Sequence, residues 1–266
     1  MTTSWSPWSL ALAGWALAAL LMLGLWLWHL RLRNAGVVDV GWASSVVAVI
    51  LLQAAVGPGD PVRRWLLAAM MTVWGVRLAA YLLRDRVLGR PEDPRYADLR
   101  DRRSAAAALR FFPFFQAQAL LAALFSVPML VVAFNRAPGL SALEVGATLL
   151  WIAAFAGEVA ADRQLARFKR RPSSRGRTCR EGLWRYSRHP NYFFEWLMWV
   201  AYALFALASP WGVVALSAPA LMLYFLFRVT GIPATEAQAL RTRGDEYRRY
   251  QQTTSAFVPW FPRRAS

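Results

Sequence analysis

Residues 8–30 read WSLALAGWALAALLMLGLWLWHL, a run of 23 residues without an acidic or basic side chain apart from one neutral histidine. A helix needs about 20 mainly apolar residues to cross a hydrocarbon core about 30 Å thick. The run lacks the small-residue cleavage pattern after a basic start that marks a signal peptide, so we interpret it as a retained membrane helix. Stretches of this kind recur along the chain and decide the fold class.

The composition agrees with a membrane protein. Of the 266 residues, 57% are hydrophobic and only 17% are charged, whereas soluble domains carry about 25% charged residues. The sequence predicts an all-α, polytopic membrane protein with a bundle of seven transmembrane helices. Residues 1–266 are expected to form a single domain, in which residues 231–266 are a cytoplasmic tail after the last helix. The predicted spans are 8–30, 37–57, 65–83, 111–135, 140–162, 192–208 and 210–230.

The basic residues test this segmentation, because successive loops must lie on opposite sides of the membrane. Residues 31–36, 84–110, 163–191 and 228–266 hold 27 of the 31 Lys and Arg residues. Basic loops face the cytoplasm. We therefore expect an external N-terminus and a cytoplasmic C-terminus, in the inner membrane of a bacterium. Pro113 and Pro128 fall within the fourth span, where neighbouring helices can satisfy the carbonyls freed by a kink.

Cysteine and histidine are too rare for several kinds of site. The chain has one cysteine, Cys179, and two histidines, His29 and His189, which argues against a disulfide framework or a metal centre. The net charge of +16 would suggest nucleic acid in a soluble protein. Basic cytoplasmic loops explain the same charge in a membrane protein, so we expect no nucleic-acid partner and no obligate protein partner.

Four charged residues stand out among those inside the predicted spans, where an ionisable side chain is costly unless it is paired or hydrated. They are Asp39, Arg77, Glu158 and Glu195. Asp39 and Arg77 are both expected near the cytoplasmic leaflet, where they could form an ion pair. Such a pair would either belong to a functional site or only hold two helices together. Arg77 shares a helix face with Trp74 and Tyr81, which is typical of a pocket but also of ordinary aromatic packing.

The segment YSRHPNYFFE, residues 186–195, gathers a phenol, a cation, an imidazole, an amide and a carboxylate where the sixth span begins. Pro190 favours an extended His189, so the helix is expected to begin near Asn191 with free backbone N–H groups that suit an anion. An interfacial aromatic belt would explain Tyr192 and Arg188. It would not explain Glu195 one turn deeper, so this segment is predicted to be functional.

A second polar set lies where the fifth span leaves the membrane. Glu158 and Asp162 are four residues apart and share a helix face, which suggests a cation or hydrogen-bond donors between them. Lys169 follows in a basic run with three arginines. That run is explained either by the orientation rule and lipid phosphates or by a phosphate-rich cofactor.

Three longer segments resemble a known family. They are GEVAADRQLARFK (157–169), GLWRYSRHPNYFFEWLMWVAYALF (182–205) and RGDEYRRYQQTTSAFVPWFP (243–262). They resemble the membrane-bound steroid 5-alpha-reductase superfamily, and most of all its bacterial DUF1295 branch. The resemblance extends from the DVGW element at Asp39 to Pro262 and is closest after Gly157.

The resemblance implies a seven-helix bundle that binds NADPH on the cytoplasmic side and reduces a carbon–carbon double bond conjugated to a carbonyl in a lipophilic, steroid- or isoprenoid-like substrate. By position in that family, Asp39 lies near the catalytic acid, and Arg77 and Tyr81 match a polar face of the third helix. We expect the cofactor to contact Arg95, Glu158, Asp162, Lys169, Tyr186, Arg188, His189, Asn191, Tyr192, Glu195 and Tyr250.

The chain also departs from the steroid enzymes. Trp74 stands where they carry the tyrosine that polarises the substrate carbonyl, and Glu158 replaces an amide. Their catalytic glutamate is either replaced by Asp39 or lost. Two other functions remain open. The RHPNY element also resembles integral-membrane isoprenylcysteine and phospholipid methyltransferases, which use S-adenosylmethionine, and a non-enzymatic lipid-binding or scaffold protein would share the composition.

Overall fold

The computed structural model describes residues 5–32, 36–89 and 105–263, and within these ranges the chain is helical without a β-strand. Arg95 lies outside the described residues. The helices are α1 (Pro7–Leu32), α2 (Val37–Val56), α3 (Pro61–Leu82), α4 (Ala105–Phe125), α5 (Val127–Val132), α6 (Ala142–Arg170), α7 (Pro190–Leu207), α8 (Ser217–Tyr224), α9 (Ile232–Arg243) and α10 (Asp245–Thr253).

Five helical stretches in the described part are long and apolar enough to cross a membrane. They are Pro7–Arg31, Val37–Val56, Pro61–Asp85, Ala142–Arg170 and Gly212–Arg243. The chain is thus all-helical with several membrane-length helices, as the sequence predicted. The fourth predicted span contains a shorter apolar helix, Phe111–Phe125, and the sixth corresponds to α7 with 18 residues. The count of seven and the orientation stay predictions.

Two compact units make up the chain. The first comprises residues 1–141 with 206–215, and the second comprises residues 142–205 with 216–266. The first unit therefore holds α1 to α5, and the second holds α6, most of α7 and the helices from α8 onward. The expectation of a single domain stays a prediction, and each unit is described separately.

In the first unit, glycines allow the helices to approach closely. A Cβ atom at Gly14 of α1 would lie 2.8 Å from Val49 of α2, and one at Gly41 of α2 would lie 2.3 Å from Leu25 of α1. Close approach at small residues is the usual way in which membrane helices associate, since lipid offers no hydrophobic driving force between them. These contacts pack α1 against α2.

The third span begins earlier than the sequence predicted, at Pro61 rather than residue 65. Asp60 caps α3, because its carboxylate accepts a hydrogen bond from the Arg63 backbone N–H at 3.0 Å, and proline is favoured in a first helical turn. The buried Arg63 guanidinium donates to the carbonyls of Ala137 and Gly139. This arginine therefore satisfies backbone groups inside the first unit.

The predicted fourth span is interrupted, and the predicted seventh span changes helix type along its length. Residues 111–135 were expected to form one kinked helix, but α4 ends at Phe125 and Pro128 lies in the first turn of the separate helix α5. Of Pro113 and Pro128, only Pro113 lies in the interior of a helix. Residues 210–230 contain a 3₁₀ turn at Gly212–Leu216, then α8, then a π-helical turn at Phe225–Val229.

The last two helices lie in the segment that the sequence identified only as a tail. α9 and α10 are separated by Gly244, whose φ of 53° lies in the left-handed region that favours glycine. The fifth predicted span is also extended, since α6 continues from residue 162 to Arg170. The basic residues after Asp162 are therefore still helical.

Candidate functional site

Side by side in the second unit, α6 and α7 run in opposite directions, as two hydrogen bonds show. The Trp151 Nε1–H donates to the Tyr202 hydroxyl at 2.8 Å, and the Asn191 amide donates to the Asp162 carboxylate at 3.3 Å. Eleven residues forward along α6 thus correspond to eleven residues back along α7. Because residues eleven apart share a helix face, the same two faces meet along this whole length.

Glu158 and Glu195 lie between those two contacts. Glu158 is seven residues after Trp151 and Glu195 is seven residues before Tyr202, so the antiparallel register places the two carboxylates on the facing surfaces. Glu158 is buried and Glu195 is half-buried. Both carboxylates also interact electrostatically with the Tyr202 hydroxyl. Two of the four charges that the sequence singled out therefore belong to one helix pair.

Gly157 permits this approach of α6 to α7. A Cβ atom at Gly157 would lie 2.5 Å from the Phe194 ring, closer than a side-chain carbon is tolerated. Gly157, the residue before Glu158, thus allows α6 to lie close to the Phe194 ring of α7.

The loop that follows α6 folds back onto the same helix. The Gln164 side-chain oxygen accepts the Leu183 backbone N–H at 2.8 Å, and the Trp184 indole donates to the Ala161 carbonyl at 2.9 Å. Lys169, in the last turn of α6, is exposed. The helix pair therefore leads toward a surface that carries exposed cations, which are Arg167, Lys169, Arg170, Arg171, Arg175 and Arg177.

Arg188 and His189 both contact Glu236 of α9. The Arg188 Nε–H donates to Glu236 Oε1 at 2.6 Å, and His189 Nε2 lies 3.2 Å from the same oxygen. Gln251 of α10 donates to the other carboxylate oxygen at 2.8 Å. The Arg188 side chain also donates to the Gln251 and Thr254 carbonyls. These two predicted cofactor residues therefore connect the start of α7 to α9 and α10.

The predicted tyrosines lie around this network. Tyr192 stacks on His189 with ring centroids 5.3 Å apart, and the Tyr186 ring packs edge-on against Phe261. The Tyr250 hydroxyl donates to the carbonyls of Trp184 and Ser187. Burial raises the pKa of Tyr250 far above its usual range, so this phenol stays a hydrogen-bond donor.

The predicted substrate-side residues belong to the first unit. Asp39 lies half-buried in the first turn of α2, and Arg77 lies on α3, which packs against α2. Trp74 is fully buried and packs edge-on against Trp42, which agrees with the packing interpretation of that residue. Tyr81 is 55% exposed, so the face shared by Trp74 and Tyr81 runs from the interior to the surface of this unit. The expected pair between Asp39 and Arg77 stays a prediction.

Comparison with known proteins places the chain in a family. A family model described as "Protein of unknown function (DUF1295)" matches residues 25–254. The chain belongs to DUF1295. The DUF1295 match includes every predicted site residue, from Asp39 to Tyr250. No curated protein matches the chain, and no solved structure does.

Within the DUF1295 region, Glu236 is a site residue that sequence reasoning missed. It lies 48 residues after Arg188, in a segment interpreted only as a tail, and no spacing rule connects residues so far apart. The one available signal was its charge, since it is an acid in a strongly basic segment that also contains Arg241 and Arg243.

Proposed function

We propose that this DUF1295 membrane protein is an oxidoreductase of the steroid 5-alpha-reductase type. It would use NADPH to reduce a carbon–carbon double bond conjugated to a carbonyl, in a lipophilic substrate of steroid or isoprenoid character. The observation that carries the proposal is the register of α6 and α7, which brings Asp162 to Asn191 and places Glu158 opposite Glu195. These residues were assigned to cofactor binding from the sequence.

The donor set on the helix pair suits a nicotinamide. A side-chain amide and carboxylates offer both donors and acceptors to a carboxamide. The cofactor's phosphates need cations, and Lys169 and its neighbouring arginines are exposed beyond the same end of α6. Asn191 lies in the first turn of α7, where backbone N–H groups favour an anion. The helix pair would thus hold the nicotinamide with its polar side chains, and the cations at the end of α6 would contact the phosphates.

The substrate carbonyl would be hydrogen-bonded by groups on α2 and α3. When bound, the cofactor supplies the hydride for the β carbon, and a proton must reach the α carbon to complete the reduction. Asp39 and Tyr81 are the proposed hydrogen-bond donors, and Arg77 would contribute to the same polar face of α3 as Tyr81. Trp74 would serve as packing against Trp42.

A lipophilic substrate would enter sideways from the bilayer. Of the basic residues, only Arg63, Arg64 and Arg136 lie on the predicted external side, and the Arg63 guanidinium donates to backbone carbonyls. This leaves little polar surface for an aqueous entrance on that side. We therefore propose that membrane lipids surround the entrance and that the substrate is a sterol-like or isoprenoid enone.

A side-by-side binding experiment tests the proposal. Thermal unfolding of the detergent-solubilised protein is followed with NADPH, NADH and S-adenosylmethionine at increasing concentrations. A ligand that binds only the folded protein raises the unfolding temperature, by an amount that grows with the ratio of its free concentration to its Kd. We expect NADPH to stabilise most, NADH less, and the NADPH effect to weaken as salt increases. Stabilisation by S-adenosylmethionine alone would contradict the reductase and favour a methyltransferase.

Two variants test whether the rise in unfolding temperature caused by the nucleotides depends on the helix pair and on the basic run. Asn191→Ala should abolish the shift given by both nucleotides, whereas Gln238→Ala, an exposed amide on α9, should leave it intact. Lys169→Gln should reduce the advantage of NADPH over NADH if this cation contacts a phosphate. Arg136→Gln removes one exposed charge elsewhere and is the matched control.

A further inference from the structure

Residues 255–263, here called the C-terminal strap, follow α10 without a helix of their own. Four hydrogen bonds hold the strap to the described chain. The Ser255 and Phe257 carbonyls accept from the Arg188 backbone N–H and the Ser187 hydroxyl, both at 2.8 Å. The Trp260 and Arg263 backbone N–H groups donate to the Tyr186 and Thr253 carbonyls at 2.9 and 2.8 Å. The backbone of the strap is therefore fixed at both ends.

One side of the strap packs against the ends of two apolar helices. The buried Phe257 ring lies 5.6 Å from Phe193 and 5.8 Å from Trp196, both in the first two turns of α7. It also lies 5.2 Å from Phe227, at the end of the apolar part of the last membrane-length stretch. Since these rings lie where apolar helices end, the strap is at the level of a membrane interface.

The other side of the strap is apolar and uncovered within this unit. Trp260 is 69% exposed, Phe261 is 76% exposed and Val258 is 52% exposed. Ordered backbone that presents large aromatic side chains outward is characteristic of a surface that meets a membrane or a partner. Tryptophan in particular is enriched at the level of lipid headgroups, because its ring is apolar and its N–H is polar.

Cations accompany these aromatic side chains. Arg263 and the α10 residue Arg249 are exposed, and Arg263 lines a groove of about 420 Å³ with Thr253, Val258, Trp260 and Phe261. The groove is lined mainly by polar residues, and it places the Arg263 cation beside the exposed Trp260 and Phe261 side chains. An anionic lipid offers the complementary pair, an acyl chain for the aromatic rings and a phosphate for the guanidinium.

We propose that the C-terminal strap is an interfacial anchor, which inserts Trp260 and Phe261 into the bilayer that contains the protein and binds an anionic phospholipid headgroup through Arg263. The occupant is the lipid surface rather than a second copy of the chain. This anchor is supported by the position of Phe257 against the helix ends and by the charge beside the exposed rings. It is independent of the proposed reductase activity.

The full-length protein in lipid nanodiscs, with one copy per disc, provides the test. Phe261→Cys in a Cys179→Ala background carries an environment-sensitive NBD fluorophore, and Gln238→Cys, an exposed polar position on α9 outside the groove, carries the same label as a control. We expect the label at position 261 to emit at shorter wavelength, to be quenched by lipids carrying a nitroxide near the headgroup, and to resist aqueous iodide. The control label should show the opposite behaviour.

The lipid composition tests the headgroup contact. Adding phosphatidylglycerol to phosphatidylcholine discs should increase nitroxide quenching at position 261, and Arg263→Gln should remove that increase. Equal iodide quenching at positions 261 and 238 would overturn the anchor, and so would a blue shift seen only in discs with two copies, which indicates self-association. If the labelled variant fails to fold, brominated lipids replace the label, since Trp260→Phe should lose part of the quenching of the unlabelled protein.

Discussion

The Glu236 carboxylate accepts hydrogen bonds from Arg188 and Gln251 and lies 3.2 Å from the His189 ring. The Arg188 and Glu236 side chains are only 11% and 14% exposed. Removing one partner of a largely buried ion pair leaves the other charge without compensation. Glu236→Gln should therefore lower the free energy of unfolding by about 2–4 kcal/mol, measured by denaturation in detergent.

An exposed ion pair of the same length is the matched control. Arg171 and Glu181 are also 2.6 Å apart, but their side chains are 52% and 53% exposed. Solvent screens such a pair, so Glu181→Gln should cost less than about 1 kcal/mol. Equal losses in the two variants would show that the contact of Arg188 with Glu236 is not what stabilises the junction of α7 and α9.

Asp39 carries the proposed role on the substrate side. Asp39→Asn removes the charge and nearly preserves the shape, so turnover of an enone should fall by at least about tenfold if this residue assists the carbonyl. NADPH affinity should hardly change, because Asp39 is not among the proposed cofactor residues. Unchanged turnover in a folded variant would assign Asp39 to helix packing instead.

Single residues were predictable where their chemistry conflicts with their surroundings. Glu158 and Glu195 were found because a charge in an apolar span requires an explanation, and the structure brings them to facing surfaces of one helix pair. Glu236 was missed because its partner Arg188 is 48 residues away. A contact between residues that are far apart in the chain produces no local sequence pattern.

Among the elements, the α6–α7 pair depends on Gly157, where a Cβ atom would lie 2.5 Å from the Phe194 ring. Gly157→Ala should force the helices apart and lower stability by about 1–3 kcal/mol, as overpacking does. It should also weaken NADPH binding if the facing surfaces hold the cofactor. Thermal unfolding with and without NADPH measures both effects.

Gly146 is the control on the same helix, because a Cβ atom there meets nothing within 4 Å. Gly146→Ala should be neutral or slightly stabilising, since alanine favours helix more than glycine. Combining Gly157→Ala with Phe194→Leu should recover part of the lost stability. Similar losses from both alanine substitutions would mean that helix conformation, rather than contact with Phe194, decides the effect.

Element boundaries were harder to predict than element types. Apolar length identified the spans, but the start of α3 depends on the Asp60 cap and on Pro61, and the break between α4 and α5 places Pro128 in a first turn. Hydropathy does not register such local hydrogen bonding. The helices α9 and α10 were missed for a related reason, since their polar composition gives no membrane signal.

At the scale of the whole molecule, charge remains the basis for orientation. The segments predicted to be cytoplasmic hold 27 of the 31 basic residues, while the structure describes five membrane-length stretches and a shorter apolar helix. Seven crossings place the two termini on opposite sides, and six would place them on the same side. The α7 helix, with 18 residues, spans about 27 Å at 1.5 Å per residue, just under the bilayer core.

Cysteine accessibility measures the topology directly. Burial raises the pKa of the Cys179 thiol, which slows its reaction with maleimide, and Cys179→Ala removes the remaining background. In intact spheroplasts, a membrane-impermeant maleimide should label Ser6→Cys and Arg136→Cys, whereas Arg177→Cys and Gln252→Cys should react only after permeabilisation. These four positions are exposed. Labelling of positions 6 and 252 from the same side would exclude seven crossings, and labelling of 136 and 177 from the same side would exclude α6 as a span.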